Sequence, residues 1–437
     1  MVSFKTGYAE EDIELIIGMD MTGFLARESN SAGIHDNLKI KCILFDDGIT
    51  KFVLVVCDLL GLNSQYTRGC ICEVAKRLSI SADNIVITSI HTHSGPASIF
   101  LQDCGEVDEN WLEGLKLRIV ECAAKAADNV KPSKLAFKTS SCDIGINRVV
   151  KIEKLKSSLV DKQVGILEIS EVATGIVKSI LVNYACHPVT LTEDNLLYSA
   201  DYPYFMIQAM QKREKYKTSS VIFANGCCGD INPSERGSFS ISERLGQKLS
   251  DRITDASFVQ IGENEFSDSR IILETLKVCI PLNNVFAVTE AEGLECDYSK
   301  VSSKETQEKD HVASKVDQAF TKWRARMFGM KCSGILNNFV TADIKIVQIG
   351  KLTIVALPFE VFHQIGLKIK DYFDPDRTMV LGYANGDYGY FPSKELYDES
   401  AYEARMAFKY YGHPGPVSKD AEDILLQAIY NHKSNCN

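Results

Sequence analysis

Residues 85–96 read Ile-Val-Ile-Thr-Ser-Ile-His-Thr-His-Ser-Gly-Pro, an apolar, β-branched run that leads into two histidines and breaks at Ser-Gly-Pro. The run predicts a buried β-strand that ends at the break. In an extended strand, residues two apart point to the same face, so His91 and His93 are expected to project together. Imidazole is the commonest metal ligand and the usual acid or base near neutral pH. The stretch therefore indicates a functional site at a strand end, the alternative being two histidines that only hydrogen-bond there.

Other apolar strands also end in polar, turn-forming segments. His187-Pro188 follows a strand at 177–185, and residues 225–233 follow a strand at 220–224. The stretch to Tyr390 follows a strand at 378–383. Glu360 follows a strand at 352–357 and is expected to open a helix over 361–373. Ligand sites of layered α/β sheets gather at strand ends. Two or three imidazoles and one carboxylate match a catalytic zinc site with an open position for water. The candidate ligands are far apart in sequence, so their spacing gives no test.

Strands and helices alternate over most of the chain, which predicts an α/β fold. We expect a layered αβα sandwich with a mixed sheet, with the metal site at its strand ends. Residues 1–437 are expected to form a single domain, with a helical insertion at 285–335 made of charged segments at 287–298 and 303–328. Charged helices of this kind are typical of solvated faces.

Composition excludes several classes of function. The net charge is −10 and no polybasic block occurs, which argues against nucleic-acid binding. No apolar run approaches ~20 residues, so no membrane span is expected. The 14 cysteines are scattered without a Cys-x-x-Cys pair, which favours a reducing, cytoplasmic setting. Neither a nucleophile elbow nor a phosphate-binding loop is present. A small-molecule substrate is expected, and a homo-oligomer is left open.

Four segments together carry a resemblance to a known family. They are residues 90–96, residues 186–188 (Cys-His-Pro), residues 229–233 (Gly-Asp-Ile-Asn-Pro), and the segment from Tyr390 to Tyr402. In this order they resemble the neutral/alkaline, non-lysosomal ceramidase family over most of the chain. His-Thr-His-Ser-Gly-Pro is the most specific of these segments.

The resemblance implies a zinc-dependent amidase whose ligands are His91, His187, Glu360 and Tyr390. It implies that His93 either supports the metal ligands from behind or acts as an acid or base. It also implies that Tyr402 stabilises the carbonyl oxyanion and that Arg148 lies in the active site. The matched loop residues Gly229, Asp230 and Asn232 are expected to contact the substrate. A dication beside a phenol can make it an anionic ligand, and a hydroxyl donor can stabilise an oxyanion, so the chemistry agrees with these roles.

Two departures from the family affect the expected substrate. Asn232 stands where ceramidases carry a serine, and an amide cannot act as a nucleophile. The family's C-terminal β-sandwich and secretion signal have no counterpart here, so a cytoplasmic enzyme is expected. Ceramide is a membrane lipid, and both departures make ceramide specificity doubtful.

Three hypotheses follow. The leading one is a zinc-dependent hydrolase that cleaves an amide, ester or lactone of a small polar substrate with metal-activated water, where Arg148 holds an anionic substrate group. The second is a true ceramidase acting on N-acyl sphingosine. The third is a metal- or ligand-binding relative without catalysis. Substrate profiling and a metal assay separate them.

Overall fold

The computed structural model describes residues 4–254, 270–284, 286 and 306–432, with only the backbone described for 306–310. The strands are β1 (Lys5–Asp12), β2 (Gly33–Ile34), β3 (Lys39–Asp46), β4 (Lys51–Cys57), β5 (Ile85–Ser89), β6 (Lys131–Ser141), β7 (Gly145–Asn147), β8 (Gln163–Glu171), β9 (Val177–Tyr184), β10 (Leu197–Tyr198), β11 (Ser220–Asn225), β12 (Ile231–Pro233), β13 (Ile271–Pro281), β14 (Phe339–Ile349), β15 (Leu352–Ala356), β16 (Glu360–Val361), β17 (Thr378–Leu381) and β18 (Tyr390–Phe391). The helices are α1 (Ser64–Leu78), α2 (Glu109–Asp128), α3 (Tyr202–Gln211), α4 (Phe239–Thr254), α5 (Thr306–Cys332), α6 (His363–Phe373) and α7 (Ala421–His432).

The first two helices begin where the sequence supplies an N-cap. Asn63 accepts from the backbone N–H of Gln65 at 2.7 Å, and Asp108 accepts from the N–H groups of Asn110 and Trp111. Such caps satisfy backbone donors that the first helical turn leaves unpaired. Through their apolar faces α1 packs on β5, and α2 packs on β1 and β3.

The main sheet has eight strands in the order β11-β9-β8-β6-β1-β3-β4-β5. It is mixed: β4 pairs with β5 and β9 pairs with β11 in parallel, whereas the other neighbours are antiparallel. The last strands at the two ends of this order approach each other, since the side-chain amide of Asn225 donates to the carbonyl of Ile90 at 2.9 Å. The ends of β5, β9 and β11 therefore lie close together in space.

A second sheet, in the order β13-β14-β15-β17, stands between two apolar cores. Val347 and Ile349 of β14 pack into the core of the main sheet, whereas Ile344 and Ile346 pack against α6 and α7. This alternation follows the two-residue period of a strand with both faces covered. The predicted mixed α/β fold with helices over its sheets is confirmed, and the structure divides its strands between two larger sheets and three short pairs.

Helix α5 shows where the charged segment packs, which the sequence alone did not predict. Its residues Val316, Ala319 and Phe320 pack in an apolar cluster that also contains Tyr402 and Tyr411. Most of the predicted charged helix at 303–328 is thus present, but one face is buried behind aromatic residues near the strand ends. The predicted helix at 287–298 lies outside the described residues, so the extent of the insertion stays a prediction.

The backbone corrects one further prediction. Glu360 does not open a helix: it lies in β16, which pairs in parallel with β18 and sets Glu360 opposite Tyr390, while α6 begins only at His363. The helix starts later because residues 360–361 use their backbone groups to pair with β18. Among the residues described, no helix combines the length and the hydropathy that crossing a bilayer requires.

Candidate metal and active site

The turn after β5 brings His91 and His93 together. β5 ends at Ser89, and the backbone of His91 turns into the left-handed region with φ of 71°. The extended geometry predicted for this step is therefore wrong, because the backbone N–H of His91 bonds to the carbonyl of Leu59 and bends the chain there. The two side chains still converge, with their Nε2 atoms 3.3 Å apart.

His187 and Glu360 complete the cluster from two other strand ends. His187 follows β9, and Glu360 lies in β16. One oxygen of Glu360, Oε2, lies 3.1 Å from the Nε2 atoms of both His91 and His187. Ligand atoms of His91, His93 and His187 all lie within 4.8 Å of one another. Four groups from three parts of the chain thus share one buried centre.

Backbone carbonyls fix the orientation of all three imidazoles. The Nδ1 atoms of His91, His93 and His187 lie 2.8 to 3.1 Å from the carbonyl oxygens of Leu60, Gly23 and Ile231 respectively. A carbonyl can only accept, so each Nδ1 carries the proton and donates. In its neutral form each ring therefore directs the Nε2 lone pair toward the centre. This outer arrangement is typical of metal-binding histidines.

The charge state of the cluster calls for a cation. Burial lowers the pKa of His187 to about 4 and lowers the pKa of His93 well below its ordinary value. Burial raises the pKa of Glu360, but the neighbouring imidazoles of His91 and His187 outweigh it and hold that pKa well below its ordinary value. When the Nε2 atoms carry no proton, as metal ligation requires, three lone pairs and a carboxylate face one another at 3.1 to 3.3 Å without a donor between them. Tetrahedral ligands at ~2.0 Å from a metal are about 3.3 Å apart, so the donor set fits a small dication.

Arg148 links the metal cluster to the other predicted residues. Its Nη2 donates to the phenol oxygen of Tyr390 at 2.9 Å and to the carbonyl of Gly229 at 2.8 Å. Its Nε forms a 2.9 Å ion pair with Glu403, and its Nη1 lies 3.3 Å from Oδ1 of Asn232. Such a spread of donors on a planar fork is a geometry that only arginine offers. The sequence named Arg148 but had no means to name Glu403.

The two predicted tyrosines are neighbours. The rings of Tyr390 and Tyr402 are 5.8 Å apart and nearly perpendicular. Burial raises the pKa of Tyr390 well above its ordinary value, while the guanidinium of Arg148 lowers it. A dication beside the phenol would act in the same direction as Arg148. The pairing of β16 with β18 places Tyr390 next to Glu360, as a shared metal site requires.

The loop residues of the predicted substrate site divide into two groups. Asp230 is fully buried, and its carboxylate accepts from the Asn147 side chain at 2.7 Å, from the His363 backbone at 2.8 Å and from the His363 ring at 2.6 Å. Gly229 donates its N–H to the carbonyl of Val361 at 2.8 Å. These contacts tie the loop to the strand that carries Glu360. The half-buried Asn232 accepts from the guanidinium of Arg148 through its side chain and Gly229 does so through its carbonyl, and substrate contact by any of the three stays a prediction.

Three residues around the cluster were not found from the sequence. Tyr411 donates its hydroxyl to Oε1 of Glu360. The ring of Tyr383 stacks on His91 at 4.0 Å. Asp387 is buried nearby with one carboxylate oxygen unpaired, and burial, with a contribution from Glu360, raises its pKa to about 7. Of these, only Asp387 lies in a segment that the sequence marked, the turn-forming stretch that leads to Tyr390.

Comparisons with known proteins agree with this geometry. A sequence model described as neutral/alkaline non-lysosomal ceramidase, N-terminal, matches residues 4–262. The structure is similar to neutral ceramidase from Pseudomonas aeruginosa, with a TM-score of 0.73 and 14% identity, covering 100% of this chain and 75% of that one. It is also similar to a ceramidase complexed with C2, with a TM-score of 0.72 and 15% identity, covering 100% of this chain and 76% of the other.

The family match spans more than half of the 437 residues and includes three of the four clustered groups, His91, His93 and His187. The structural similarity extends the shared fold to the remaining part, where Glu360 and Tyr390 lie. The chain belongs to the neutral/alkaline non-lysosomal ceramidase family.

Proposed function

We propose that this protein is a zinc-dependent hydrolase that cleaves the amide bond of ceramide-type N-acyl amides. One observation carries the proposal: three imidazoles, each with Nδ1 held by a backbone carbonyl, and a carboxylate meet at one buried centre with contacts of 3.1 to 3.3 Å. Family membership favours the ceramide amide over the ester or lactone that the sequence left open. The match to a ceramidase fold supports the same choice.

Zinc is the metal that the donor set favours. Nitrogen ligands with one or two oxygens in a small tetrahedral arrangement are typical of catalytic zinc, whereas magnesium and calcium prefer all-oxygen sites. When bound, zinc supplies a water with a pKa of about 7 and polarises a carbonyl oxygen. Glu360 contributes the negative charge, and Tyr411 holds its second oxygen in place.

The residues around the centre have separate tasks in the proposed reaction. His93 has an unprotonated Nε2 aimed at the centre, so it can accept a proton from the attacking water and return it to the leaving amine. Arg148 holds the phenol of Tyr390. Burial raises the pKa of Tyr402 well above its ordinary value, so Tyr402 keeps its proton and can donate to the oxyanion. The Nε2 atoms of His93 and His91 are 3.3 Å apart, which is the spacing of two ligands on one metal ion, so His93 is also a candidate ligand.

The asparagine at position 232 is consistent with a mechanism in which water is the nucleophile. Its Oδ1 faces Arg148, which leaves the amide N–H₂ to donate toward a substrate. An amide is not a nucleophile, so the proposed attack does not use this position. The cytoplasmic location also stays a proposal, supported by the free thiols of all twelve cysteines within the described part of the chain.

The test combines a metal assay with hydrolysis of a short-chain ceramide. We expect about one zinc per chain and release of the free sphingoid base by the wild-type protein. His91→Ala should lose both, because it removes a nitrogen ligand. His311→Ala is the matched control, since His311 is exposed and pairs with Glu28 at the surface.

Each outcome decides between the hypotheses. Hydrolysis that survives in His91→Ala, or a metal-free protein with full activity, would reject the zinc mechanism. Tight zinc binding without turnover of any amide, ester or lactone would support a binding protein instead. Turnover of esters or lactones alone would keep the hydrolase and remove the ceramidase assignment.

A further inference from the structure

An N-terminal loop covers His93 and contributes an arginine to the same wall. The backbone carbonyl of Gly23 accepts from Nδ1 of His93, and the guanidinium of Arg27 donates to the carbonyl of His93 at 2.8 Å and to that of Thr22 at 3.3 Å. The Nε atom of Arg27 is buried without a hydrogen-bond partner. Burial lowers the pKa of Arg27 to about 10, so it remains a cation at neutral pH.

A second arginine comes from the opposite side, on the segment after the matched loop. Arg236 is exposed, but its Nε donates to the carbonyl of Val189 at 2.6 Å, and the N–H of Gly237 donates to the carbonyl of Thr190. Both acceptors directly follow His187-Pro188. The position of Arg236 is therefore fixed relative to the metal cluster.

Phe24 joins the two arginines to the site. The guanidinium carbons of Arg27 and Arg236 lie 5.1 and 5.9 Å from the centre of its ring. The same ring lies 4.9 Å from the ring of His93. One aromatic side chain thus lies near both cations and the proposed acid/base histidine, at the partly exposed side of an otherwise buried cluster.

The acidic neighbours of this wall are shared or already hydrogen-bonded. Glu193 acts on both guanidiniums and raises the pKa of each. Asp201 also raises the pKa of Arg236, but its carboxylate accepts from Thr190 and from the backbone N–H groups of Leu191 and Tyr202. Arg148 lies close enough that its charge lowers the pKa of Arg236, and Arg148 is itself paired with Glu403. Two cations fixed against backbone carbonyls, with a third nearby, favour an anion at this wall.

We propose that Arg27 and Arg236 form an anion subsite that selects N-acyl amides carrying a carboxylate or similar group beside the scissile bond. The inference rests on the proposed amide hydrolysis and narrows its substrate class. The head of a ceramide is an N-acylated 2-amino-1,3-diol, which is neutral. Replacing its CH₂OH group by a carboxylate gives an N-acyl amino acid, which presents the anion next to the amide.

The test compares two probes that differ only in that group, N-hexanoyl serinol and N-hexanoyl serine. Binding is measured by calorimetry on metal-free protein, where neither probe is turned over. We expect the serine probe to bind at least ~10-fold more tightly, as a charge-assisted hydrogen bond predicts. Arg236→Gln should remove this preference, and Arg236→Glu should reverse it. Arg118→Gln is the matched control, an exposed arginine on α2 that pairs with Glu14.

Hydrolysis of the same pair separates this inference from the proposed function. A preference for the serine probe in kcat/KM, lost in Arg236→Gln mainly through KM, supports both. Equal binding of the two probes by the metal-free protein overturns the subsite, even if short-chain ceramide is hydrolysed. Preferential binding without hydrolysis of either probe supports the subsite while the hydrolase fails. Since Arg236 is exposed, its variants are expected to fold, and unchanged melting temperature checks this.

Discussion

The metal cluster and the Arg148 network adjoin each other but are held in different ways. His91, His93 and His187 are each fixed by a backbone carbonyl, so their geometry depends on the path of the main chain. Arg148 is fixed mainly by side chains, those of Tyr390, Glu403 and Asn232. The three histidines, held by the main chain, should keep a rigid geometry for a metal ion. Arg148, held mainly by side chains, should be able to adjust its contacts to a substrate. Substitutions on the two sides should therefore separate metal binding from turnover.

The largest effect is expected at Glu360, the only carboxylate in the metal cluster. Glu360→Gln keeps the shape but removes the charge that opposes a dication. We expect metal affinity to fall by at least ~100-fold and kcat/KM by on the order of 1,000-fold, as loss of several kcal/mol of Lewis-acid stabilisation implies. Metal content by mass spectrometry and steady-state kinetics measure the two. Glu121→Gln, on the exposed face of α2, is the control, and retained zinc in Glu360→Gln would contradict the assignment.

Arg148→Lys should break the other half of the comparison. Lysine keeps the charge but cannot bond Tyr390, Glu403 and Gly229 at once. We expect kcat to fall by about 100-fold, in line with loss of two charge-assisted hydrogen bonds, while zinc stays bound. Kinetics and metal content on the same preparation test this. Loss of zinc together with activity would show that the two halves are not separable.

Tyr411→Phe sharpens the comparison from behind the cluster. The substitution removes only the hydroxyl that donates to Glu360. Removing an outer partner of a ligand costs about 10-fold in metal affinity, so a competition with a chelator should show a shift of that size. Tyr410→Phe is the neighbouring control, since Tyr410 packs in the α5 cluster. An unchanged affinity would mean that β16 alone positions the carboxylate.

The smallest effect concerns the buried pair under the loop, His363 and Asp230. Although burial lowers the pKa of His363, the carboxylate of Asp230 raises it above the ordinary value. A raised folded-state pKa stabilises the protein below the unfolded pKa of ~6.5, and this contribution is lost as pH rises through the folded value. The free energy of unfolding in urea should therefore decrease from pH 6 upward, and His363→Asn should flatten that slope. A slope equal in wild type and variant would exclude the pair as its source.

The sequence predicted which strands deliver the residues of this site better than it predicted the local backbone geometry. Apolar runs with turn-forming ends located the strands that deliver His91 and His187, since burial on both faces leaves a clear pattern. The predicted convergence of His91 and His93 holds for another reason than the one given, because a left-handed residue replaces the extended strand. Backbone pairing as short as β16 with β18 leaves no periodic pattern, so the environment of Glu360 was misjudged.

Other features could not be read from local pattern at all. Tyr411 reaches Glu360 from 51 positions along the chain, and nothing distinguishes it from the adjacent Tyr410, which is core. The burial of α5 behind Tyr402 depends on tertiary packing that a charged composition conceals. Arg27 and Arg236 are isolated basic residues in loops, and their shared neighbours Phe24 and Glu193 are visible only in the fold.

Gly229 sets a condition for redesigning this protein. A side chain at that position would place its first carbon 2.4 Å from the carbonyl oxygen of Glu360, a distance that atoms do not tolerate. The loop and the ligand strand are thus in main-chain contact, with no room for a spacer. Reintroducing a hydroxyl at Asn232 is open to an engineer, but enlarging the loop three residues earlier would displace Glu360, the proposed anionic ligand.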